Sequence, residues 1–413
     1  MSISKQKRLI FLCWLIYTAA YFGRYGYNAN ITLIESAFGV THAESGLVTT
    51  CFFFAYGAGQ IVNGLFCKYY PKRVVLAAAL FGSAIINAAV YFGAPFAALK
   101  YMWLLNGILQ SVLWSSLICV LSENLDGALM NKAIIVMSTT VSVGTLITYS
   151  LSALLAHLGV FELIFIIAAA VLVAVGAVWL IFYCAPKKSS PRQGAEGALP
   201  TAEEAVPVSE KKGRLPAVLA VSVVIMALFA AITNLAKDGL QTWVPAILKE
   251  SYSLPDSLSI VLTLVLPVLG IFGAVFSAQM HKVIGDFVSL AGVLLFAAGV
   301  CIVGVLLLLN TSVWIAVLLL FGVVELLMHA SNNVITSMMP LYLRGKFNSG
   351  RLAGILNGCC YVGSTLSSYG LGALADSAGW SGVFCLLCGV CFVSAAVALC
   401  FFLYLKKTKK SLY

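Results

Sequence analysis

The sequence predicts an all-α membrane protein of twelve transmembrane helices, arranged as two pseudo-symmetric six-helix bundles. Three observations carry that prediction: an apolar composition, apolar runs of one recurring length, and a weak internal repeat on either side of a polar segment. Of 413 residues, 61% are hydrophobic and 10% charged, whereas soluble proteins carry about 25% charged residues. So few charges cannot cover a water-facing surface, and lipid is the solvent such a chain fits. In lipid every backbone polar group must be satisfied internally, which leaves helices or a closed barrel. Barrel strands alternate over about ten residues. The runs here are continuous over about 20, the length of a helix crossing roughly 30 Å of hydrocarbon.

The first span, Leu9–Ile34, follows Lys5, Lys7 and Arg8 and continues past Arg24 without a small-residue cleavage site, so it reads as a span and not as a signal peptide. Ala43–Cys67 opens behind Thr41-x-x-Glu44, a capping-box pattern, and ends at Lys68, Lys72 and Arg73. Val74–Tyr91 and Leu99–Leu121 follow, then Ala133–Ala156 behind Lys132, and Phe161–Cys184 as the sixth. Pro186–Arg214 is polar, rich in Pro, Gly and Glu, and has no apolar period, so it reads as a flexible cytoplasmic linker. It divides the chain into an N-terminal bundle, 1–185, and a C-terminal bundle, 215–413. The second bundle begins with Val218–Leu248, then Leu258–Met280 behind a second box, Ser253-x-x-Asp256. Phe287–Leu309, Val313–Met338, Leu352–Ala375 and Val383–Leu405 complete the twelve.

The net charge of +10 would suit a nucleic-acid partner if it were clustered on one folded face. It is distributed by side of the membrane instead. With the N-terminus inside, 21 of the 25 Lys and Arg residues fall in inner segments, and only Lys100 and Lys249 in outer ones. Arg24 and Lys237 are the remaining two, inside helices. This split follows the positive-inside rule, excludes nucleic acid, and places both termini in the cytoplasm of a cell with this protein in its inner (plasma) membrane. Twelve cysteines sit mostly within spans. Cys385, Cys388 and Cys391 share a helix face, but no His or carboxylate stands near them to complete a metal site, and they read as small packing residues. No cofactor is expected.

The two bundles resemble each other. Arg24-Tyr-Gly-Tyr-Asn28 answers Lys237-Asp-Gly-Leu-Gln241 at an offset of 213, and the two box patterns follow at 212. Val143-Gly144-Thr145 matches Val362-Gly363-Ser364, and LSALLAHLG from Leu151 matches LGALADSAG from Leu371. A duplication of this kind places the binding site near the bilayer midplane, where the repeats meet.

A cation deep in a bilayer costs about 2.5–3.5 kcal/mol on insertion scales, so it faces a cavity or a partner. Arg24 lies beyond the midpoint of the first span. Tyr17, Tyr21, Arg24 and Asn28 recur at helical steps and share one face. Asn234, Lys237 and Gln241 do the same on the seventh helix. Brought together across a pseudo-twofold axis, the two stripes would clamp an anion, guanidinium giving bidentate contact and ammonium a point charge. The alternative is that each cation is permanently paired, for example Lys237 with Glu325 or Asp238. On the tenth helix, Glu325, His329, Asn332 and Asn333 form another polar group. There the pair Glu325–His329 is either a coupling-proton site or a self-satisfied structural pair. Gln60, Asn63, Asn106, Gln110 and Asn357 either line the cavity or tie helices together.

These motifs carry a resemblance. KDGLQTWVPAILKE, Lys237 to Glu250, resembles the seventh-helix signature of the organophosphate:phosphate antiporters of the major facilitator superfamily, which include the glycerol phosphate and hexose phosphate carriers. YFGRYGYN, Tyr21 to Asn28, resembles their first-helix signature, and Gly350–Gly354 and GWSGVF from Gly379 resemble segments around their eleventh helix. The resemblance implies the major facilitator fold, Arg24 and Lys237 as phosphoryl ligands, and Trp243 and Pro245 shaping the helix above them. The sequence departs from that pattern at Lys237, where many members carry Arg. It departs also at Val141, where they carry His, at Thr242, where they carry Asp, and at Lys68, where the superfamily loop carries Asp.

The function this implies is a secondary active transporter of an anionic organic metabolite. Its first form is an antiporter that exchanges an organic phosphate for inorganic phosphate by alternating access, working as a monomer. A proton-coupled carrier of a carboxylate is the alternative, and a transporter-like membrane sensor a further one. A cavity holding Arg24 and Lys237 repels cationic drugs. No nucleophile–base pair, metal cluster or phosphate loop marks an enzyme.

Overall fold

The structure, a computed structural model, describes residues 3–66, 69–125, 127–183, 217–309, 311–343 and 349–408. The linker expected over 186–214 lies outside the described residues, as does Lys68. Among the described residues all regular structure is helical. The elements are α1 (Ile3–Ala29), α2 (Ile31–Phe38), α3 (His42–Phe66), α4 (Lys72–Tyr91), α5 (Phe96–Asn124), α6 (Gly127–His157), α7 (Leu163–Phe182) and α8 (Ala217–Tyr252). They continue with α9 (Asp256–Leu262), α10 (Val265–Gly270), α11 (Gly273–His281), α12 (Phe287–Leu308), α13 (Trp314–Asn333), a π-helical turn (Val334–Met338), α14 (Met339–Tyr342) and α15 (Ser349–Thr408).

Among the described residues, ten helical stretches are long and apolar enough to cross a bilayer. The last, Leu352–Lys407, supplies two crossings, because its helix reverses at Gly379 with φ 66° and ψ 179°. The polar first helix, α1, completes the twelve. Three spans differ in detail from the sequence reading. The eighth is three short helices, α9 to α11, interrupted at 263–264 and 271–272 beside Pro267, Gly270 and Gly273. The tenth passes through the π turn before Pro340. The first begins at Ile3 and bends at Asn30 into α2.

The distribution of side chains is the reverse of a soluble protein's. Ile85, Leu307 and Val393 are 69%, 73% and 63% exposed, which only lipid tolerates over so much surface. Asn106, Gln110, Thr233 and Ser331 are fully buried.

The chain divides into two compact units. One holds Met1–Phe38, Cys51–Thr201 and Asp256–Val261, and the other Gly39–Thr50, Ala202–Pro255 and Leu262–Tyr413. In the first, α1 is wrapped by α4, α5, α6 and α7 through Ile16, Ala20, Leu80, Leu113, Leu172 and Trp179. In the second, α8 packs chiefly on α15.

Within each unit the repeat is legible in the packing. A Cβ on Gly144 would stand 2.6 Å from Tyr21 Cβ and 3.0 Å from the Thr18 carbonyl oxygen, and a Cβ on Gly363 would collide with the Ala231 carbonyl. Thr18 and Ala231 are 213 residues apart, the same offset as Arg24 and Lys237. Each glycine therefore lets one helix reach the backbone of the cation-bearing helix at the equivalent point. The fifth-helix match ends at Gly159 and the eleventh-helix match at Gly379, with φ 73° and 66°, a conformation that glycine adopts without a Cβ penalty. Val160 N–H donates to the Leu155 carbonyl at 3.0 Å behind Gly159, the six-to-one bond of a Schellman stop.

The first capping box is formed: Thr41 N–H donates to Glu44 Oε2 at 3.0 Å, and Glu44 N–H to Thr41 Oγ1 at 3.3 Å. The second expected box takes another form. Ser253 has φ 53°, and the Asp256 carboxylate accepts from Thr32 Oγ1 at 2.7 Å.

Candidate functional site

Arg24 is 7% exposed, on the face of α1 expected from its spacing, with Tyr17, Tyr21 and Asn28 buried beside it. Its guanidinium carbon lies 4.2 Å from the Tyr21 ring centroid, 5.1 Å from Tyr56, 5.5 Å from Tyr17 and 5.8 Å from Phe52. These rings offer the cation their negative faces, and Tyr17 and Tyr56 fix each other through a 2.9 Å hydroxyl contact. Tyr21 stacks on Tyr25 at 5.4 Å. Rings do not satisfy N–H donors as an oxyanion does. Among the described residues, Nε and Nη2 of Arg24 are buried with no hydrogen-bond partner. Those two nitrogens form one edge of the guanidinium, the edge that matches two oxygens of a carboxylate, sulfonate or phosphate.

The helix that carries Arg24 is held from behind. The carbonyl of Gly23 accepts from Asn106 Nδ2 at 2.7 Å and from Asn87 Nδ2 at 3.1 Å. Ser83 donates to Asn106 Oδ1 at 2.6 Å, and Gln110 Nε2 to Ser83 Oγ at 3.0 Å. Asn106 and Gln110 are therefore helix ties and not cavity lining. Asn63 belongs with them, donating to Ser111 Oγ at 2.8 Å. Gln60 is half-buried and Asn357 exposed.

Lys237 is in a different state. Its ammonium is 3.2 Å from Asp238 Oδ1, and Asp238 Oδ2 accepts from Ser364 Oγ on α15. In this structure the ammonium thus lies against its sequence neighbour, one of the two partners considered from the sequence. Asn234 donates to Asn332 Oδ1 at 3.1 Å, and the Cys360 thiol donates to the same oxygen at 3.3 Å. Gln241 is half-buried on the same helix.

Glu325 is 1% exposed. Its Oε1 is 3.1 Å from His329 Nε2, and its Oε2 is buried without a partner among the described residues. The His329 ring lies in a slot cleared by glycines: a Cβ on Gly270 would stand 2.8 Å from His329 Cδ2, and one on Gly273 2.6 Å from His329 Cβ. Asn333 donates to Ser277 Oγ at 2.9 Å. Thr242, where the resembled family has Asp, bonds back to the Asp238 carbonyl at 2.8 Å. Cys388 donates weakly to the Gly299 carbonyl at 3.5 Å, and Cys385 is exposed. Cys388 and Cys391 are buried, as packing residues are, whereas Cys385, expected to pack with them, is not.

Sequence reasoning missed Tyr56, Phe52 and Ser364. Ser364 lay inside the Val-Gly-Ser repeat match, which was a usable signal; the α3 aromatics gave none. It also missed a cluster built around His42. Glu250 reaches His42 Nε2 at 3.1 Å and accepts from Trp380 Nε1 at 2.8 Å. Asp376 accepts from the His42 and Ala43 N–H groups at 3.1 and 2.8 Å, capping α3.

The sequence profile described as the Major Facilitator Superfamily matches residues 13–368. The chain belongs to that family of membrane transporters. It is similar to the membrane sensor protein UhpC of Escherichia coli strain K12, 27% identical over 114 residues, which are 28% of this chain and 26% of the relative. UhpC of Salmonella typhimurium strain LT2 is 26% identical over 105 residues, 25% of this chain and 24% of that protein. The match thus spans about a quarter of either relative. Among solved structures, a bacterial homolog of the human lysosomal transporter Spinster, inward-facing and occupied, superposes with a TM-score of 0.73. It is 14% identical, over 99% of this chain and 98% of that one. The nucleoside transporter NupG superposes with a TM-score of 0.71 at 13% identity, over 96% and 100%. At these identities the likeness establishes the fold.

Proposed function

We propose that this protein is a secondary active transporter of an anionic organic metabolite, with Arg24 and Lys237 as its binding cations. The observation that carries the reading is the buried Arg24 guanidinium with two unpartnered donors on one edge. An unsatisfied buried donor costs about 1–3 kcal/mol, more when charged, and a fold keeps such a cost where a ligand supplies the missing acceptor. An organic phosphate exchanged for inorganic phosphate is the first reading, supported by the seventh-helix and first-helix motifs. Tyr17, Tyr21, Asn28, Asn234 and Gln241 complete the proposed binding set. The protein acts as a monomer in the inner (plasma) membrane with both termini cytoplasmic.

The Glu325–His329 contact favours a second reading, a proton-coupled carrier of a carboxylate. The similarity to UhpC supports a third, a membrane sensor. Competition of phosphates, carboxylates and sulfonates against labelled phosphate uptake in proteoliposomes separates these readings. Arg24→Ala and Lys237→Ala are each expected to abolish uptake with normal insertion. Wild-type rates in both variants would end the reading.

A further inference from the structure

We infer that Lys237 has two seats in the second unit, its present one on Asp238 and another on Glu325, and that its ammonium passes between them. Every group involved lies in that unit, and the inference holds whatever anion the protein carries.

The two carboxylates are built alike. Asp238 gives one oxygen to a fixed neutral partner on another helix, Ser364 Oγ, and the other to the Lys237 ammonium at 3.2 Å. Glu325 gives Oε1 to His329 Nε2 at 3.1 Å, and its Oε2 is buried with no partner among the described residues. A buried carboxylate oxygen left open is costly, and a cation is the partner that relieves it best. The elements that pack chiefly on α13 are α8, α10, α11, α12 and the π turn. All but α8 lack lysine and arginine, and their titratable groups are His281, the last residue of α11, and Cys301. On α8 the cations are Lys237 and, in the last turn, Lys249.

Lys237 is the one within reach. Thr233 Oγ1 meets Ser331 Oγ at 3.1 Å, and Asn234 donates to Asn332 Oδ1 at 3.1 Å, so α8 and α13 are zipped at this level. The seventh and tenth spans run in opposite directions. The turn of α8 that follows Asn234 therefore lies beside the turn of α13 that precedes Asn332. Lys237 is in the first, His329 in the second, and Glu325 stands one turn beyond His329 on the same face. Glu325 is accordingly the next charge after Asp238 to act on Lys237. Adjacent residues on a helix do not face each other, so the contact with Asp238 already bends the lysine stem back. That stem is flexible, and a swing about it changes seat while both helices stay still.

The charges balance in either seat. At present Lys237 with Asp238 sums to zero, and Glu325 with His329 does so while they share one proton. After the move Lys237 with Glu325 sums to zero, and the shared proton neutralises Asp238 instead. On Asp238 the cation is tied through Ser364 to α15, and on Glu325 it is tied to α13. The seat thus decides which neighbour of α8 shares its charge.

Thermal unfolding of the purified full-length protein, with no anion added, tests the second seat. Asp238→Asn is expected to lower Tm by only about 2–4 °C, because Glu325 takes the ammonium and the new amide oxygen still accepts from Ser364. Glu325→Gln is expected to do about as little, since Lys237 stays on Asp238. Together they leave the ammonium buried with no carboxylate, and Tm should fall by about 10 °C or more beyond the sum of the two. Adding Lys237→Met to the double variant should return most of that loss. A double variant too unstable to purify supports the second seat if the triple variant purifies, and overturns it if the triple variant does not. Additive losses, or a loss in Asp238→Asn alone as large as in the double variant, also overturn it. With no ligand in the measurement, such a failure leaves the proposed binding role of Lys237 standing; that role is decided by uptake in Lys237→Ala.

Discussion

Arg24→Met should make the protein more stable and useless as an anion binder at once. Methionine keeps much of the apolar stem that packs among the rings and removes the charged head. Two buried donors, Nε and Nη2, cost about 1–3 kcal/mol each while unsatisfied. The ring contacts, closest at 4.2 Å to Tyr21, return about 0.5–2 kcal/mol. The difference leaves the anion-free variant ahead by roughly 2 kcal/mol, about 4–8 °C in Tm for a unit of 150–250 residues. A ligand at a hundred times its Kd stabilises the wild type by about 2.7 kcal/mol, so the order narrows or reverses when anion is added. The assay is thermal unfolding of both proteins in detergent, with and without saturating methanesulfonate. The reasoning is refuted if the anion-free variant is no more stable than the wild type and still gains Tm from the anion.

Three other outcomes are expected. Gly144→Ala forces a Cβ to 2.6 Å from Tyr21 Cβ, so it should lower Tm by the equivalent of about 1–3 kcal/mol and weaken anion binding. Gly389→Ala, with nothing within 4 Å of its new carbon, should do neither, and equal effects would discount the crossing. Asp376→Ala removes the acceptor of two α3 N–H groups and should cost about 0.5–2 kcal/mol as a lost cap, read by thermal unfolding, with Asp376→Asn retaining part. Glu325→Gln should leave substrate binding present while slowing net, gradient-driven uptake more than exchange; equal loss of binding, counterflow and uptake would make Glu325 structural.

The apolar runs and their charge punctuation were enough to find the spans, because a bilayer imposes one length on every crossing. The Arg24 stripe was legible for the same reason as any helix face: four residues at helical steps. What the sequence could not supply was partnership across helices. Asp238 stands beside Lys237 in the chain, yet helical geometry argues against their contact, and only the Ser364 hydroxyl explains why the carboxylate stays. Tyr56 and Phe52 approach Arg24 from a helix whose aromatics alone specify no register. Asn106 and Gln110 had equal claims as cavity lining and helix tie; the Gly23 carbonyl decided for Asn106, and Ser83 Oγ with Asn106 Oδ1 for Gln110. The His42 cluster joins residues 208 and 338 positions apart, beyond any local pattern. The broken eighth span was signalled by Pro267, Gly270 and Gly273, but glycine in lipid marks close packing as often as interruption.

The π turn at Val334–Met338 gives the tenth span one residue more than an α-helix of its length requires. Its cause is local: Pro340 has no N–H and its ring crowds the carbonyl four residues back, at Thr336, which the wider turn moves aside. The surplus residue is a phase slip. Removing one residue there would rewind the segment and swing α14 by about 100°, while Glu325, His329 and Asn332, all upstream, kept their bearings. The fourth span, α5, runs unbroken from Phe96 to Asn124 and has no such slack. The likeness in cation and glycine crossing therefore does not extend to winding: one span holds a residue in reserve, and the other is a plain rod.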